Sequence, residues 1–148
     1  MKIEKELLIL AREHHVSLVL ANRVINAVAS KNQAEISALC LNINKYFAES
    51  FMDHFETEET LILYPLMSID KNSEDICKRL IKEHNDLIYL SSSLADKPEL
   101  LLEFGQLLRQ HTRAEDREIF PNITALSRKQ LQAIAESSEK HKRIEEFF

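Results

Sequence analysis

The sequence predicts an all-α protein, built as an antiparallel up-and-down four-helix bundle with an additional C-terminal helix. Two observations support this prediction. The 148 residues include one Gly and three Pro, too few for the many turns of a β-rich fold. Apolar residues also recur at helical spacing over long stretches, which short polar breaks separate. Long helices joined by short connections pack as antiparallel neighbours.

The first two predicted helices form one helical hairpin. The first helix runs from about residue 3 to 29, and its apolar stripe includes Leu10, Leu18 and Ile25. Polar residues at 30–33 interrupt the pattern. The second helix then runs from residue 34 to about 67, with a proline in its last turn.

Three further helices follow. The third is predicted to begin after Ser73, a suitable N-cap, and to end near residue 95. The fourth runs from about residue 99 to 120 and is ended by Pro121. Ser127 followed by Gln130 predicts a capping box for a fifth helix that reaches the C-terminus.

Composition and charge indicate one ordinary domain and exclude several partners. We expect a single domain over residues 1–148, with the bundle at about 3–121 and the extra helix at about 128–148. The net charge is −5 with both signs mixed along the chain, so no basic face is available for nucleic acid. The apolar runs are too short to span a bilayer.

The location expected from the sequence is the cytoplasm. The N-terminus carries acidic residues where a signal peptide would be apolar. Cys40 and Cys77 are the only thiols and form no C-x-x-C pair, which favours a reducing compartment. We expect a monomer or a weak homo-oligomer.

Four of the six histidines lie in the middle of predicted helices, one on each of the first four helices: His14, His54, His84 and His111. Their neighbours at helical spacing are mostly apolar. At 1.5 Å of rise per residue, the distances to the helix ends place the four imidazoles at a similar depth. A lone inward histidine is usually a hydrogen-bonded core residue, but four in one layer are difficult to satisfy without a metal ion.

Two of these histidines have a carboxylate four residues later, Glu58 after His54 and Glu115 after His111. Residues at this spacing share one helix face, although glutamate is so frequent here that the spacing alone is weak evidence. A third pair, His141 with Glu145, is interpreted as accidental because its surroundings are charged. Four imidazoles with two bridging carboxylates have the composition of a non-haem di-iron site.

Competing interpretations differ in the metal or in the class of protein. Zinc and manganese accept the same ligand types, but six protein ligands with bridging carboxylates suit iron better than tetrahedral zinc. A ferritin-like di-iron bundle needs Glu three residues before a ligand histidine, and no histidine here has one. The alternative from a different class is a metal-free or zinc-binding helical module for interactions. No catalytic residue is predicted, so enzymatic activity stays open.

At these residues the chain resembles the hemerythrin-like (HHE cation-binding) domain family. Residues 12–15 resemble the first ligand helix of that family and residues 54–59 the second. Glu83-His84 resembles the third, and His111-x-x-x-Glu115 before Pro121 the fourth, so the match spans about residues 7–121. The ligands that we predict are His14, His54, Glu58, His84, His111 and Glu115.

The resemblance implies a di-iron-oxo site with two iron ions that binds or reduces O2 or related small molecules, such as NO or peroxide. Sensing, iron handling and protection from oxidative or nitrosative stress are the roles it implies. Oxygen-carrying members have a second histidine one turn after the third-helix ligand, where this chain has Ile88. The resemblance therefore predicts a less saturated centre than that of a reversible oxygen carrier.

Three ligand assignments have a neighbouring alternative. His14 is preferred to His15 because it aligns with the apolar stripe. Family members place an Asp where Asp116 stands, but on a straight helix this position points away from His111, so Glu115 is preferred.

The third ambiguity concerns Glu58 and Glu59. Pro65 lies eleven residues after His54, whereas the proline of the fourth helix lies ten residues after His111. The extra residue predicts a π-bulge in the second helix, and such a bulge would make Glu59 a candidate in place of Glu58.

Overall fold

The computed structural model describes residues 4–148, and within them the chain forms helices and no strand. The α-helices are α1 (Leu8–Ala29), α2 (Gln33–Glu58), α3 (Tyr64–Ile69), α4 (Glu74–Ser93), α5 (Leu101–Ala114) and α6 (Arg128–Ser138). The all-α prediction is confirmed. The predicted start of the first helix at residue 3 lies outside the described residues.

Four bundle helices pack around one interior. The first bundle helix is α1. The second is α2, which continues through a π-helical turn into α3, and the third is α4. The fourth is α5 with the π-helical turn that follows it. Contacts of α1 with α2, α2 with α4, α4 with α5 and α5 with α1 close the ring. Because the connections are short, neighbours run in opposite directions, as predicted. None of the described helices is long and apolar enough to cross a membrane.

The connections use local hydrogen bonds to begin the next helix. Lys31 adopts a left-handed conformation with φ of 57°, and the Asn32 side chain accepts the backbone N–H of Glu35 at 3.1 Å. Before α4 the prediction of a Ser73 cap was wrong in detail. The Ser73 hydroxyl donates to Asp70 at 3.0 Å and caps no backbone N–H of α4.

The second and fourth bundle helices each contain a π-helical turn. The π-bulge predicted in the second bundle helix is confirmed at Glu59–Leu63. A second π-helical turn, at Glu115–Ile119, was not predicted. The spacing to proline gave no sign of it, because Pro121 lies in a separate 3-10 segment, Phe120–Ala125.

The C-terminal segment folds back over the bundle. Ser127 and Gln130 form the predicted capping box of α6. The helix ends at Ser138, well before the C-terminus that the sequence pattern predicted for it. The following residues end in a 3-10 turn, Ile144–Glu146, which places the fully buried Ile144 in the core beside α1.

The apolar core is divided in two by a polar layer. One cluster contains Phe47, Phe51, Phe104 and Leu108 together with residues from α1 and α4. The other cluster contains Leu10, Ile62, Leu80, Ile119 and Ile134, among others. Each bundle helix contributes to both clusters, and between them it contributes a buried histidine. The fold thus brings four polar positions into the middle of an otherwise apolar interior.

Candidate metal centre

The structure brings the six predicted ligands together in this polar layer. Each is at most 2% exposed: His14, His54, Glu58, His84, His111 and Glu115. They come from all four bundle helices. Glu58 is the last residue of α2 and Glu115 is the first residue of the following π-helical turn in the fourth bundle helix.

Glu58 lies in contact with three of the imidazoles. Its Oε2 is 2.9 Å from His14 Nε2 and 3.0 Å from His54 Nε2. Its other oxygen, Oε1, is 3.1 Å from His84 Nε2. One carboxylate therefore faces both sides of the centre.

Glu115 occupies the matching position opposite. Its Oε1 is 3.3 Å from His14 Nε2 and 3.2 Å from His111 Nε2. Its Oε2 is 3.9 Å from His84 Nε2. All four imidazoles thus direct Nε2 towards the two carboxylates.

The donor atoms fall into two groups that could each hold a metal ion. One group is His14, His54, Glu58 and Glu115, and the other is His84, His111, Glu58 and Glu115. Within each group the candidate atoms lie within 4.8 Å of one another. The two glutamates belong to both groups, which is the arrangement of bridging carboxylates.

Two atoms of the centre are buried without a hydrogen-bond partner. They are Nε2 of His111 and Oε1 of Glu115, which lie 3.2 Å apart in a geometry that makes no hydrogen bond between them. Leaving buried polar atoms unsatisfied costs about 1–3 kcal/mol each, so a native protein normally supplies them with a partner. Imidazole nitrogen and carboxylate oxygen are ligands for divalent transition metals, and the residues present therefore fit a bound cation.

A second carboxylate lies behind every imidazole, on its Nδ1 atom. The pairs are His14 with Asp116 (2.7 Å), His54 with Glu13 (2.9 Å), His84 with Glu59 (2.8 Å) and His111 with Glu83 (2.9 Å). A carboxylate in this position fixes the ring orientation and raises the basicity of Nε2. The four imidazoles are thus held in the orientation that a metal site requires.

The neighbouring alternatives occupy different places. His15 is exposed, whereas His14 points inward. Glu59 and Asp116 contact Nδ1 atoms from outside and lie in neither group of candidate ligands. The geometry favours the six residues that the sequence predicted, and their role as ligands stays a prediction.

Charge pairing sets the protonation of the centre in the absence of a metal ion. Burial disfavours the charged imidazolium of His54, but the negative charge of Glu58 and the hydrogen bonds to Glu13 and Glu58 together outweigh burial and raise the pKa of His54 to about 9. Burial also opposes the charged form of His111, but the charge of Glu115, which lies 3.2 Å away, and the hydrogen bond to Glu83 together raise its pKa to about 10. Burial would raise the pKa of Glu58, but the surrounding imidazoles hold it well below its usual value. Cation binding must therefore displace protons from Nε2 atoms.

Sequence reasoning missed the outer carboxylates and one histidine. The repeated dipeptides Glu13-His14 and Glu83-His84 were a usable signal, although each Glu supports a histidine other than its neighbour. His141 was dismissed because its surroundings are charged, yet its side chain is only 3% exposed and its Nδ1 is 3.0 Å from Glu13. No periodic pattern in the C-terminal residues indicated this contact.

A cavity of about 250 Å³ lies at the surface between α2 and α4, next to the centre. Its wall includes His84 and Glu59 together with the apolar side chains of Met52, Phe55 and Ile88. Of the six predicted ligands, His84 is the one in its wall, so a small molecule in this partly apolar cavity would approach the centre from the His84 side.

A helical bundle with a buried layer of imidazoles and carboxylates defines a class of protein, the metal-binding helical bundles. Comparison with family models narrows this class. The model described as the hemerythrin HHE cation-binding domain matches residues 7–123, so the chain belongs to that family and is a metal-cation-binding protein. The resemblance identified from the sequence is confirmed. No curated protein and no solved structure gives a significant match.

Proposed function

We propose that this protein is a non-haem di-iron protein that interacts with O2 or a related small molecule such as NO or peroxide. The observation that carries the proposal is the pair of four-residue groups that share Glu58 and Glu115. Two ions so placed would have two imidazoles each and both carboxylates between them. Bridging carboxylates with imidazoles suit iron.

The charge around the centre supports two divalent cations. Six carboxylates surround four imidazoles: Glu13, Glu58, Glu59, Glu83, Glu115 and Asp116. Three of the six, Glu13, Glu58 and Glu115, are 1% exposed, so with neutral imidazoles their negative charge costs free energy unless cations compensate it. The imidazoles themselves are oriented by their outer carboxylates and need little movement to bind.

The cavity beside His84 supports interaction with a small molecule. Its wall contains Ile88, one turn after His84. At this position the oxygen carriers that the chain resembles have a histidine. An aliphatic side chain supplies no ligand, so the His84 side is left with room for a water molecule or a small ligand. Iron, when bound, supplies the electron-transfer chemistry that O2, NO and peroxide require. The roles that suit this chemistry are sensing, iron handling and protection from oxidative or nitrosative stress.

Anaerobic reconstitution with Fe(II) tests the proposal. We expect about two irons per chain, and near-ultraviolet charge-transfer absorption after oxidation in air. The variant Glu58→Gln should lose most of the iron, because Gln cannot carry the bridging negative charge. Glu49→Gln, which changes an exposed carboxylate on the same helix, is the matched control and should retain it. Purified protein with one tightly held zinc ion and no capacity for iron would contradict the proposal and favour the zinc-binding module.

A further inference from the structure

We propose that His141 is a positioning residue of the metal centre, acting through Glu13 on His54. The inference rests on the proposed function and deepens it, because it makes the C-terminal segment part of the centre. The family model ends at residue 123, so the match does not include this segment.

Glu13 lies between two imidazoles in the interior. Its Oε1 accepts a hydrogen bond from Nδ1 of His54 at 2.9 Å. Both of its oxygens lie 3.0 Å from Nδ1 of His141. Glu13 is 1% exposed, so water cannot readily replace these donors.

The contacts on both sides of His141 indicate which of its nitrogen atoms carries the proton, because the Glu13 carboxylate beside Nδ1 can only accept a hydrogen bond. Nε2 of His141 is 2.7 Å from the hydroxyl of Thr57, which is 2.7 Å from the hydroxyl of Ser137. If Ser137 donates to Thr57 and Thr57 donates to Nε2, then Nδ1 of His141 carries the proton and donates it to Glu13. Every group in this series then has a partner, and it joins α6 and the C-terminal segment to α2.

Glu13 depends on such a donor more than the other outer carboxylates do. The side chains of Asp116, Glu59 and Glu83 are 40%, 26% and 15% exposed, so water can satisfy their remaining lone pairs. The side chain of Glu13 is only 2% exposed. Without His141 this buried carboxylate would keep one donor, His54, and would lose the contact that fixes its position. Glu13 would then fix the orientation of the His54 ring less firmly.

Removing an outer partner of a metal ligand typically lowers metal affinity about 10- to 100-fold. His141 acts one step further out, so we expect a loss of about 3- to 10-fold. The loss should affect the ion on the His14–His54 side and spare the one on the His84–His111 side.

Zinc titration of the full-length chain against a chelating dye, with four variants, tests the inference. His141→Ala removes the donor to Glu13, and His141→Asn restores an N–H near the position of Nδ1. Thr57→Val removes the donor to Nε2 and leaves His141 in place. Lys142→Ala is the control, because it breaks the exposed Lys142–Glu49 contact of the same segment, 3.0 Å long, without touching Glu13.

We expect weaker binding of one of two zinc ions in His141→Ala, partial recovery in His141→Asn, an intermediate loss in Thr57→Val and no change in Lys142→Ala. Long-range ¹H–¹⁵N spectra of the zinc-loaded wild-type protein should show His141 protonated at Nδ1 and not at Nε2. Should His141→Ala fail to fold, Thr57→Val and the spectrum of the wild-type protein decide the matter.

Other results would overturn the inference. Equal zinc affinities in all variants, or a His141 that is protonated at Nε2 alone, would contradict the positioning role. Two zinc ions per chain would in that case still support the metal centre itself. A third zinc ion, bound by the wild-type protein and lost in His141→Ala, would make Glu13, His54 and His141 a metal site instead. Wild-type protein that binds no metal would contradict the proposed function. The long-range ¹H–¹⁵N spectrum of the metal-free protein would then still test the contact of His141 with Glu13.

Discussion

His14 and His15 are adjacent, yet the fold places them in different environments. His14 packs against Phe120 with 4.8 Å between ring centroids, and its two nitrogen atoms contact Asp116 and Glu58. His15 lies one helical step of about 100° away and is exposed. Adjacent histidines on one helix therefore give a test of the ligand assignment within a single element.

We expect His14→Ala to lose at least one of the two irons and His15→Ala to retain both. Only the first substitution removes an imidazole from the centre, whereas the second shortens an exposed side chain. Iron per chain after anaerobic reconstitution and desalting is the measurement. Loss of iron in His15→Ala with retention in His14→Ala would move the ligand to His15.

Ile88 is the residue on which the reactivity of the centre should depend. The diferrous protein is expected to oxidise in air within minutes, because the His84 side has room for a small molecule. Ile88→His should slow this oxidation about tenfold or more, since an imidazole one turn from His84 lies on the same face and can occupy the open position. The decay is followed by the rise of near-ultraviolet absorption under a fixed oxygen pressure.

Ile88→Leu controls for a change of shape without a new ligand and should oxidise at the wild-type rate. If wild-type protein instead holds O2 reversibly for hours under the same oxygen pressure, oxygen that binds at the open position does not oxidise the iron. A reversible carrier would then describe the protein better than a sensor or a reductase.

The inner residues could be identified from sequence because each replaces an apolar residue within a regular stripe. His54 with Glu58 and His111 with Glu115 were recognisable by spacing and by their apolar neighbours. The outer carboxylates were not, because each supports a histidine on another helix, as Glu13 supports His54. Such pairs depend on the rotation of one helix against the next, which helical periodicity does not determine.

The two π-helical turns explain how adjacent acidic residues can both serve the centre. Glu58 and Glu59 contact opposite nitrogen atoms of His84, at 3.1 Å and 2.8 Å. The extra residue of a π turn changes the direction in which the chain continues and brings the second carboxylate round to the outer side. The first π turn was predicted because the spacing to Pro65 is one residue longer than the spacing to Pro121, but the fourth bundle helix contains a π turn as well, so this difference does not explain the turn. The sequence of the second π turn is compatible with a regular helix.

At Gly105 the helices α1 and α5 approach each other closely. A Cβ atom at this position would lie 2.6 Å from Cγ1 of Val24. Because Val has one strongly preferred rotamer in a helix, it cannot easily move aside. Gly105→Ala should therefore destabilise the protein by about 1–3 kcal/mol from overpacking, which exceeds the gain of about 1 kcal/mol in helix propensity.

Urea unfolding of the single and double variants measures this effect. In the Val24→Ala background the contact with Cγ1 is gone and the contact with Cβ of residue 24 at 3.0 Å remains, so Gly105→Ala should there destabilise the protein much less. A destabilisation of equal size in both backgrounds would mean that Val24 is not the obstacle, and the close approach of the two helices would need another explanation.

For the molecule as a whole, the bundle could be predicted because long apolar stripes and short polar breaks leave few other arrangements. The path of the last residues could not. Residues after Ser138 contain no helical stripe, and Ile144 is held in the core by contacts with distant parts of the chain. One buried isoleucine in a charged segment gives a sequence pattern too weak to interpret.

The stability of the metal-free protein should depend on pH through the same imidazoles. The pKa values of His54 and His111 are about 9 and about 10, raised from an ordinary value of 6.5. A group whose pKa is raised by folding stabilises the native state below its unfolded pKa, and this contribution is lost as the pH rises through the folded pKa. The melting temperature should therefore fall between about pH 6.5 and pH 10, by about 4 °C or more.

Zinc-loaded protein is the control, because its Nε2 atoms bind metal and have no proton to lose. Its melting temperature should be higher and should change less over the same pH range. Scanning calorimetry at several pH values, with and without zinc, gives both curves. Coincident curves would indicate that the imidazoles bind no metal and would favour the metal-free module.

The polar layer that divides the core also divides the molecule into two potential cooperative units. Each apolar cluster is continuous within itself, and the layer of histidines and carboxylates lies between them. In the metal-free state the two halves of one long helix can exchange their amide hydrogens through separate local openings. Two ions held by all four bundle helices would join these openings into one. Amide exchange at Leu10 in one cluster and at Val24 in the other, on either side of His14 in the same helix, would then slow together when metal binds.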